Sequence, residues 1–134
     1  MTKCELFEKY IYDICGKTRT KMPLIKQYKL RKYAAWCDGY TRISYHPGEI
    51  KRSNKRYLVF IAAHEVGHIR TMPKDRKEAE YLAELFALKT VWKYYRYLFS
   101  FSHTKDIISQ NDKLYTESFK KAIKDFKKWR LKNK

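Results

Sequence analysis

The chain is poor in the residues that favour turns, with 4 Gly and 3 Pro among 134 residues. All-β folds join many short strands through glycine- and proline-rich turns, so this composition argues for long helices instead. Its 3 cysteines, Cys4, Cys15 and Cys37, are scattered. No C-x-x-C pair is present, which excludes a redox motif or a cysteine zinc cluster built from near neighbours. We expect three reduced thiols.

Long apolar runs are also missing. No stretch approaches the ~20 apolar residues that a membrane-spanning helix needs. The first residues include Glu5 and Glu8 in place of the apolar stretch of a signal peptide. We therefore expect a cytoplasmic protein with no transmembrane segment.

Acidic residues are outnumbered, with 14 Asp+Glu against 31 Lys+Arg and a net charge of +17. Such a chain can bind nucleic acid or an anionic membrane through electrostatics alone. The basic residues are spread along the chain, however, with one dense block after residue 120, and a solvated basic surface is the simpler interpretation. Apolar residues make up 44% and aromatic residues 16%, which excludes a disordered tail. The length predicts one domain, 1–134, and leaves the oligomeric state open.

Hydrophobic spacing predicts an α+β fold: an N-terminal helix, an antiparallel hairpin and then three helices. The predicted segments are a helix over 4–16 stopped by Gly16, paired strands over 26–36 and 40–46 joined at Asp38-Gly39, a helix from Ser53 or Asn54 to about Thr71, a helix from Lys74 or Asp75 to about Phe99, and a helix from about Asn111. The last helix has an apolar stripe formed by Tyr115, Phe119, Ala122, Phe126 and Trp129.

The third predicted segment contains His64-Glu65-Val66-Gly67-His68, an H-E-x-x-H motif. Residues four apart on a helix project from one face, so both imidazoles can reach one zinc ion at ~2.0–2.1 Å. Glu65 then lies beside the open position of the metal and can take a proton from bound water. Glycine in a helix interior costs about 1 kcal/mol. We therefore expect another backbone to pack closely against Gly67.

A catalytic zinc ion needs a third protein ligand and leaves its fourth position to water. The next predicted helix offers Glu78, Glu80 and Glu84. All three cannot be ligands, and spacing alone does not choose among them.

These two helices resemble those of the gluzincin metallopeptidases. The H-E-x-x-H motif followed by Glu80-Tyr81-Leu82-Ala83-Glu84 is most similar to the minigluzincins, short relatives of the catalytic cores of membrane-embedded CAAX-processing-type proteases. The resemblance covers the two motif helices and, more loosely, residues 1–100. It implies a zinc metalloendopeptidase that cleaves peptides or proteins, with His64, His68 and Glu80 as metal ligands and Glu65 as general base.

The resemblance implies further roles on the same helix. Ala83 is the small residue that lets the two helices approach, and Glu84 accepts a hydrogen bond from a ligating histidine, although Asp is usual there. Alignment with the phage-repressor-cleaving and radiation-response metallopeptidases would make Glu78 the ligand instead. In gluzincin-like folds the peptide substrate adds to an edge strand, for which we expect residues 41–46. A Tyr or His usually faces the metal, and the candidates are Tyr94, Tyr95 and His103.

Residues 103–134 have no counterpart in the motif. Their helix either completes the core against residues 4–16, lies across the cleft and keeps the enzyme latent, or forms a dimer. Two other functions stay open. The chain can be a metalloprotease-fold regulator that binds a partner with little turnover, or a basic nucleic-acid-binding module in which the motif is accidental.

Overall fold

A computed structural model describes residues 1–28, 35–38, 41–71, 75–101 and 115–133. In these ranges the predicted α+β fold is confirmed, with five α-helices and one three-stranded mixed sheet. The elements are α1 (Lys3–Thr18), β1 (Leu24–Gln27), β2 (Ala35–Cys37), β3 (Arg42–Tyr45), α2 (Pro47–Arg52), α3 (Lys55–Thr71), α4 (Arg76–Tyr94), a 3-10 turn (Arg96–Leu98) and α5 (Thr116–Lys132). None of the described helices has the length and apolarity needed to cross a membrane.

Helix α1 begins at a capping box in which Thr2 and Glu5 each bond the other's backbone N–H. The helix continues past Gly16, so the prediction that this glycine stops it is wrong. The left-handed residue that ends the helix is Arg19, with φ of 54°. Glycine is favoured at that position but not required there, and a sequence pattern alone therefore misplaces the end.

The sheet has the order β1-β3-β2. Strand β2 runs antiparallel to β3, with Cys37 opposite Ile43, whereas β1 runs parallel to β3, with Ile25 opposite the same Ile43. The prediction of one strand over 26–36 antiparallel to 40–46 is therefore wrong for its first part. Apolar alternation indicates which side chains face the core, but not the direction of the partner strand.

Strand β3 is the centre of the sheet, because it pairs with β1 on one side and β2 on the other. Residues 41–46 are therefore not the expected edge strand, since their backbone groups are already used within the sheet. The edges of the described sheet are β1 and β2, and β2 contacts α3. At the predicted turn, the Asp38 carboxylate accepts hydrogen bonds from the N–H groups of Thr41 and Arg42, while Gly39 lies outside the described residues.

The helices that hold the motifs begin close to their predicted positions. Asn54 accepts a hydrogen bond from the N–H of Tyr57 at 2.9 Å at the start of α3, and Asp75 caps α4. Helix α4 ends at Tyr94 and not near Phe99.

The short helix α2 was not predicted. It follows His46, whose ring accepts bonds from the first helical N–H groups.

Helix α5 packs mainly on α4, with Ala122 and Phe126 in the hydrophobic core. Its start, predicted near Asn111, is at Thr116 in the described part of the chain, and residues 111–114 lie outside it. Phe126 stacks against Phe99 with ring centroids 5.3 Å apart. The apolar stripe therefore completes the core, but its main partner is α4 and not the expected 4–16 segment.

Helices α3 and α4 approach each other most closely at Gly67 and Ala83. A Cβ atom built on Gly67 would lie 2.9 Å from the Ala83 Cα and 3.0 Å from its carbonyl oxygen. The expected close backbone approach at Gly67 is confirmed. The neighbour is the small residue that the family resemblance suggested.

We expect Gly67→Ala to lower the free energy of unfolding by about 1–3 kcal/mol, because the added methyl group meets backbone atoms that cannot move aside easily. Gly16→Ala is the matched control. Its Cβ meets nothing within 4 Å in α1, so the same substitution there should raise stability by about 0.5–1 kcal/mol. Urea unfolding measures both, and stabilisation by Gly67→Ala would contradict the close approach.

Candidate metal centre

Four ionisable side chains meet between α3 and α4. His64, Glu65 and His68 come from α3 and Glu80 from α4, and each is only 5–7% exposed. Burying so many polar groups is unfavourable unless they are paired or coordinate a metal. The H-E-x-x-H spacing is responsible for the α3 part, since residues four apart share a helix face.

The metal-ligating atoms of three of these residues form a tight triangle. The His64 Nε2 atom lies 3.1 Å from the His68 Nε2 atom and 3.0 Å from the Glu80 Oε2 atom. The His68 Nε2 atom is 3.4 Å from the Glu80 Oε1 atom. Tetrahedral ligands held ~2.0–2.1 Å from a zinc ion lie ~3.3–3.4 Å apart. The two nitrogens and the Glu80 carboxylate, which offers a different oxygen to each histidine, are thus spaced nearly as closely as ligands around one small metal ion.

The other two candidate glutamates occupy different places. The Glu84 Oε1 atom lies 3.1 Å from the Nδ1 atom of His64, on the far side of the ring from the triangle. A carboxylate that accepts the Nδ1 proton of a histidine favours the tautomer whose lone pair is on Nε2. Glu78 is exposed to solvent. Among the three glutamates, only Glu80 is brought to the Nε2 atoms of both histidines.

Glu65 is buried with its Oε2 atom lacking a hydrogen-bond partner in the described structure. Ligand atoms of His64, Glu65 and His68 lie within 4.8 Å of one another, and this buried group could hold a metal ion. The Glu80 oxygens lie 3.0 Å from the His64 Nε2 atom and 3.4 Å from the His68 Nε2 atom. The Glu80 carboxylate therefore lies beside both histidines of this group, and the buried Glu65 Oε2 atom is left without a hydrogen-bond partner.

The electrostatics reflect this crowding. Burial lowers the pKa of His64, but its hydrogen bonds with Glu80 and Glu84 outweigh burial and raise that pKa well above the usual value. Burial raises the pKa of Glu65. Burial also opposes the charge of Glu80, yet its bonds with the two histidines hold the pKa of that carboxyl far below its usual range. Glu80 is therefore the anion of the cluster, and Glu65 is the carboxyl that burial favours in its neutral form.

Two residues of the site were missed by sequence reasoning. Arg76 lies one turn before Glu80 on α4, with its Nη2 atom 3.2 Å from the Glu80 Oε1 atom and its side chain 52% exposed. Phe119 of α5 is 2% exposed, and its ring centroid is 6.2 Å from that of His64. The i,i+4 spacing of Arg76 and Glu80 is a sequence signal from which their ion pair could have been predicted. The apolar stripe predicted that Phe119 is buried, but it did not predict that Phe119 packs beside His64.

The structure does not bring Tyr94 or Tyr95 to the site. Tyr95 donates its hydroxyl hydrogen bond to Asp13 of α1, and the Tyr94 ring lies beside the Nζ atoms of lysines. Both residues are about 20 Å along α4 from Glu80 at 1.5 Å per residue. His103 lies outside the described residues.

The chain has no match among protein-family models, curated proteins or solved structures. The resemblance to minigluzincins therefore stays a proposal. The fold itself provides the buried group of His64, Glu65 and His68, which could hold a metal ion, with the Glu80 carboxylate 3.0 Å from His64.

Proposed function

We propose that the protein is a zinc-dependent metallopeptidase of minigluzincin type that hydrolyses peptide bonds, in the cytoplasm. The observation that supports this most is the close grouping of the His64 and His68 nitrogens with the Glu80 carboxylate, beside the buried Glu65 carboxyl whose Oε2 atom has no hydrogen-bond partner. Two nitrogens and one carboxylate oxygen are a donor set typical of catalytic zinc sites.

The residues have distinct roles in this proposal. His64 Nε2, His68 Nε2 and one Glu80 oxygen would hold the ion. Zinc bound there would act as a Lewis acid and lower the pKa of water to about 7. Glu65 accepts the proton of the attacking water at its unpaired Oε2 atom and later gives it to the leaving amine.

The surrounding residues orient this set. Glu84 accepts the Nδ1 proton of His64 and so fixes the tautomer whose lone pair is on Nε2. Arg76 holds the Glu80 carboxylate from the solvent side, which restrains its rotation. The close contact of Gly67 with Ala83 sets the distance between the two helices.

Helix α5 closes the site in this conformation. Phe119 packs on His64, and the Tyr81 hydroxyl donates to the Asp125 carboxylate at 2.5 Å, which ties α4 to α5. With the four site residues this buried, a peptide reaches them only after the first turns of α5 move. The proposed enzyme is therefore latent as folded.

Zinc binding tests the ligand set. We expect the purified chain to bind about one zinc ion per monomer, and Glu80→Gln to weaken zinc affinity more than about 100-fold, since outer groups alone contribute 10–100-fold. Glu78→Gln is the matched control on the same helix and should bind zinc normally. Competition with a chromophoric chelator measures all three proteins. Equal loss in both variants, or no bound zinc, would contradict the ligand assignment.

Peptide cleavage tests the role of Glu65. We expect Glu65→Gln to keep its zinc and its fold while kcat/KM falls by about 10²–10⁴-fold, because the proton acceptor is lost but the ligands remain. Digestion of casein with and without a chelator, alongside metal analysis, measures this. Turnover retained by the zinc-loaded variant would rule out Glu65 as the base.

Latency is tested by a matched pair of substitutions in α5. Phe119→Leu removes the ring contact with His64, and Phe126→Leu removes a buried ring in the core away from the site. A ring contact worth about 1 kcal/mol shifts the closed-to-open ratio about fivefold. We expect a rise in activity of this size for Phe119→Leu only.

Each result for this pair has a defined meaning. An equal rise in both variants would indicate general loosening and contradict a specific cover. If Phe119→Leu and Phe126→Leu both bind zinc but neither cleaves peptide, the alternative function is favoured, in which the protein is a regulator that binds a partner and has little turnover.

A further inference from the structure

The outward face of α5 is a strip of lysines. Its exposed residues include one acid, Glu117, whose carboxylate is 3.7 Å from the Nζ atom of Lys120. The six exposed lysines, called the lysine face below, are Lys120, Lys121, Lys124, Lys127, Lys128 and Lys132.

The lysine face is opposite the buried face of the same helix. At 3.6 residues per turn the six lysines fall within an arc of about 140°, and they extend over ~18 Å of helix. Phe119, Ala122 and Phe126 lie on the other side and are buried. Six of the 31 Lys+Arg of the chain thus lie on one face of one helix.

This concentration is unfavourable for the isolated protein. Lys120 and Lys124, Lys124 and Lys128, and Lys128 and Lys132 are like charges at i,i+4, each pair destabilising a helix by about 0.2–0.5 kcal/mol. Glu117 is the one exposed acid of the described helix, since Asp125 is half-buried and accepts the hydrogen bond of Tyr81. A strip of this kind is complementary to a linear array of negative charges.

We propose that the lysine face binds the phosphate backbone of duplex nucleic acid without sequence preference. Lysines act on phosphates as point charges and position a protein without reading bases. No exposed residue of the described α5 is aromatic, so the face lacks the stacking platform typical of single-strand binders.

A membrane surface fits this face less well. Helices that bind membranes in their own plane bury an apolar face in the bilayer. In α5 that face is already in the core, and Leu131 is the one exposed large apolar side chain of the described helix. Non-specific binding to duplex nucleic acid, by contrast, requires only positive charges that contact phosphates.

The experiment measures binding of the full chain to a fluorescent 20-base-pair DNA of mixed sequence over a range of KCl concentrations. If all six lysines contact phosphates, log K should fall with log[KCl] with a slope of about −5, at ~0.9 per contact. Lys120, Lys124, Lys128 and Lys132 are replaced together by Gln in the test variant. Lys9, Lys26, Lys51 and Lys55, which are exposed on other elements, are replaced together by Gln in the control, with the same change in charge.

For the test variant we expect the slope of log K against log[KCl] to become less negative by about 3–4. Its affinity for the DNA at 0.1 M salt should fall on the order of a thousandfold. The control variant should keep most of both. Equal losses in the two variants would overturn the assignment to α5. So would the absence of DNA binding at low salt, tighter binding to single strands of the same length, or tighter binding to vesicles of anionic phospholipid.

This inference does not depend on the peptidase. Glu65→Gln and Glu80→Gln leave the lysine face intact and should bind DNA with unchanged affinity and slope. Loss of DNA binding in either of them would contradict a separate site on the outer face of α5.

Discussion

The close approach of α3 and α4 at Gly67 and Ala83 is the constraint on which the candidate site depends. With the Gly67 Cα atom against the backbone of Ala83, the helices are near enough for Glu80 to reach both histidines. A larger residue at either position would push the two helix backbones apart, because its side chain would meet backbone atoms of the other helix. Because metal ligands must be placed to within a few tenths of an ångström, this contact determines whether a triangle of ligand atoms forms at all.

Helix α5 serves two environments at once. Its apolar residues complete the core, and Phe119 also covers His64, while its other face is almost entirely lysine. The two faces are rigidly linked because they belong to one helix. The lysine face and Phe119, which contacts His64, are therefore parts of the same structural element.

The parts of the molecule that were predictable from sequence are those determined by local spacing. The H-E-x-x-H motif predicted the shared helix face of His64 and His68, and the cost of a helical glycine predicted the close approach at Gly67. The parts that were not predictable depend on distant partners. Ile25 pairs parallel to Ile43, and Phe119 packs on His64, because of how elements far apart in sequence meet, and hydrophobic periodicity does not encode that. Which of Glu78, Glu80 and Glu84 lies next to both histidines likewise depends on how α4 is rotated relative to α3.

The donor residues all lie within two consecutive helices. His64, His68 and Glu80, with the supporting Glu84, belong to α3 and α4, and few residues separate these two helices in the sequence. The entropy lost on closing a short loop is small, and contacts between neighbouring elements form early in folding. The centre is thus assembled by one helical hairpin. The mixed sheet and α5, whose contacts connect distant parts of the chain, supply none of these four side chains.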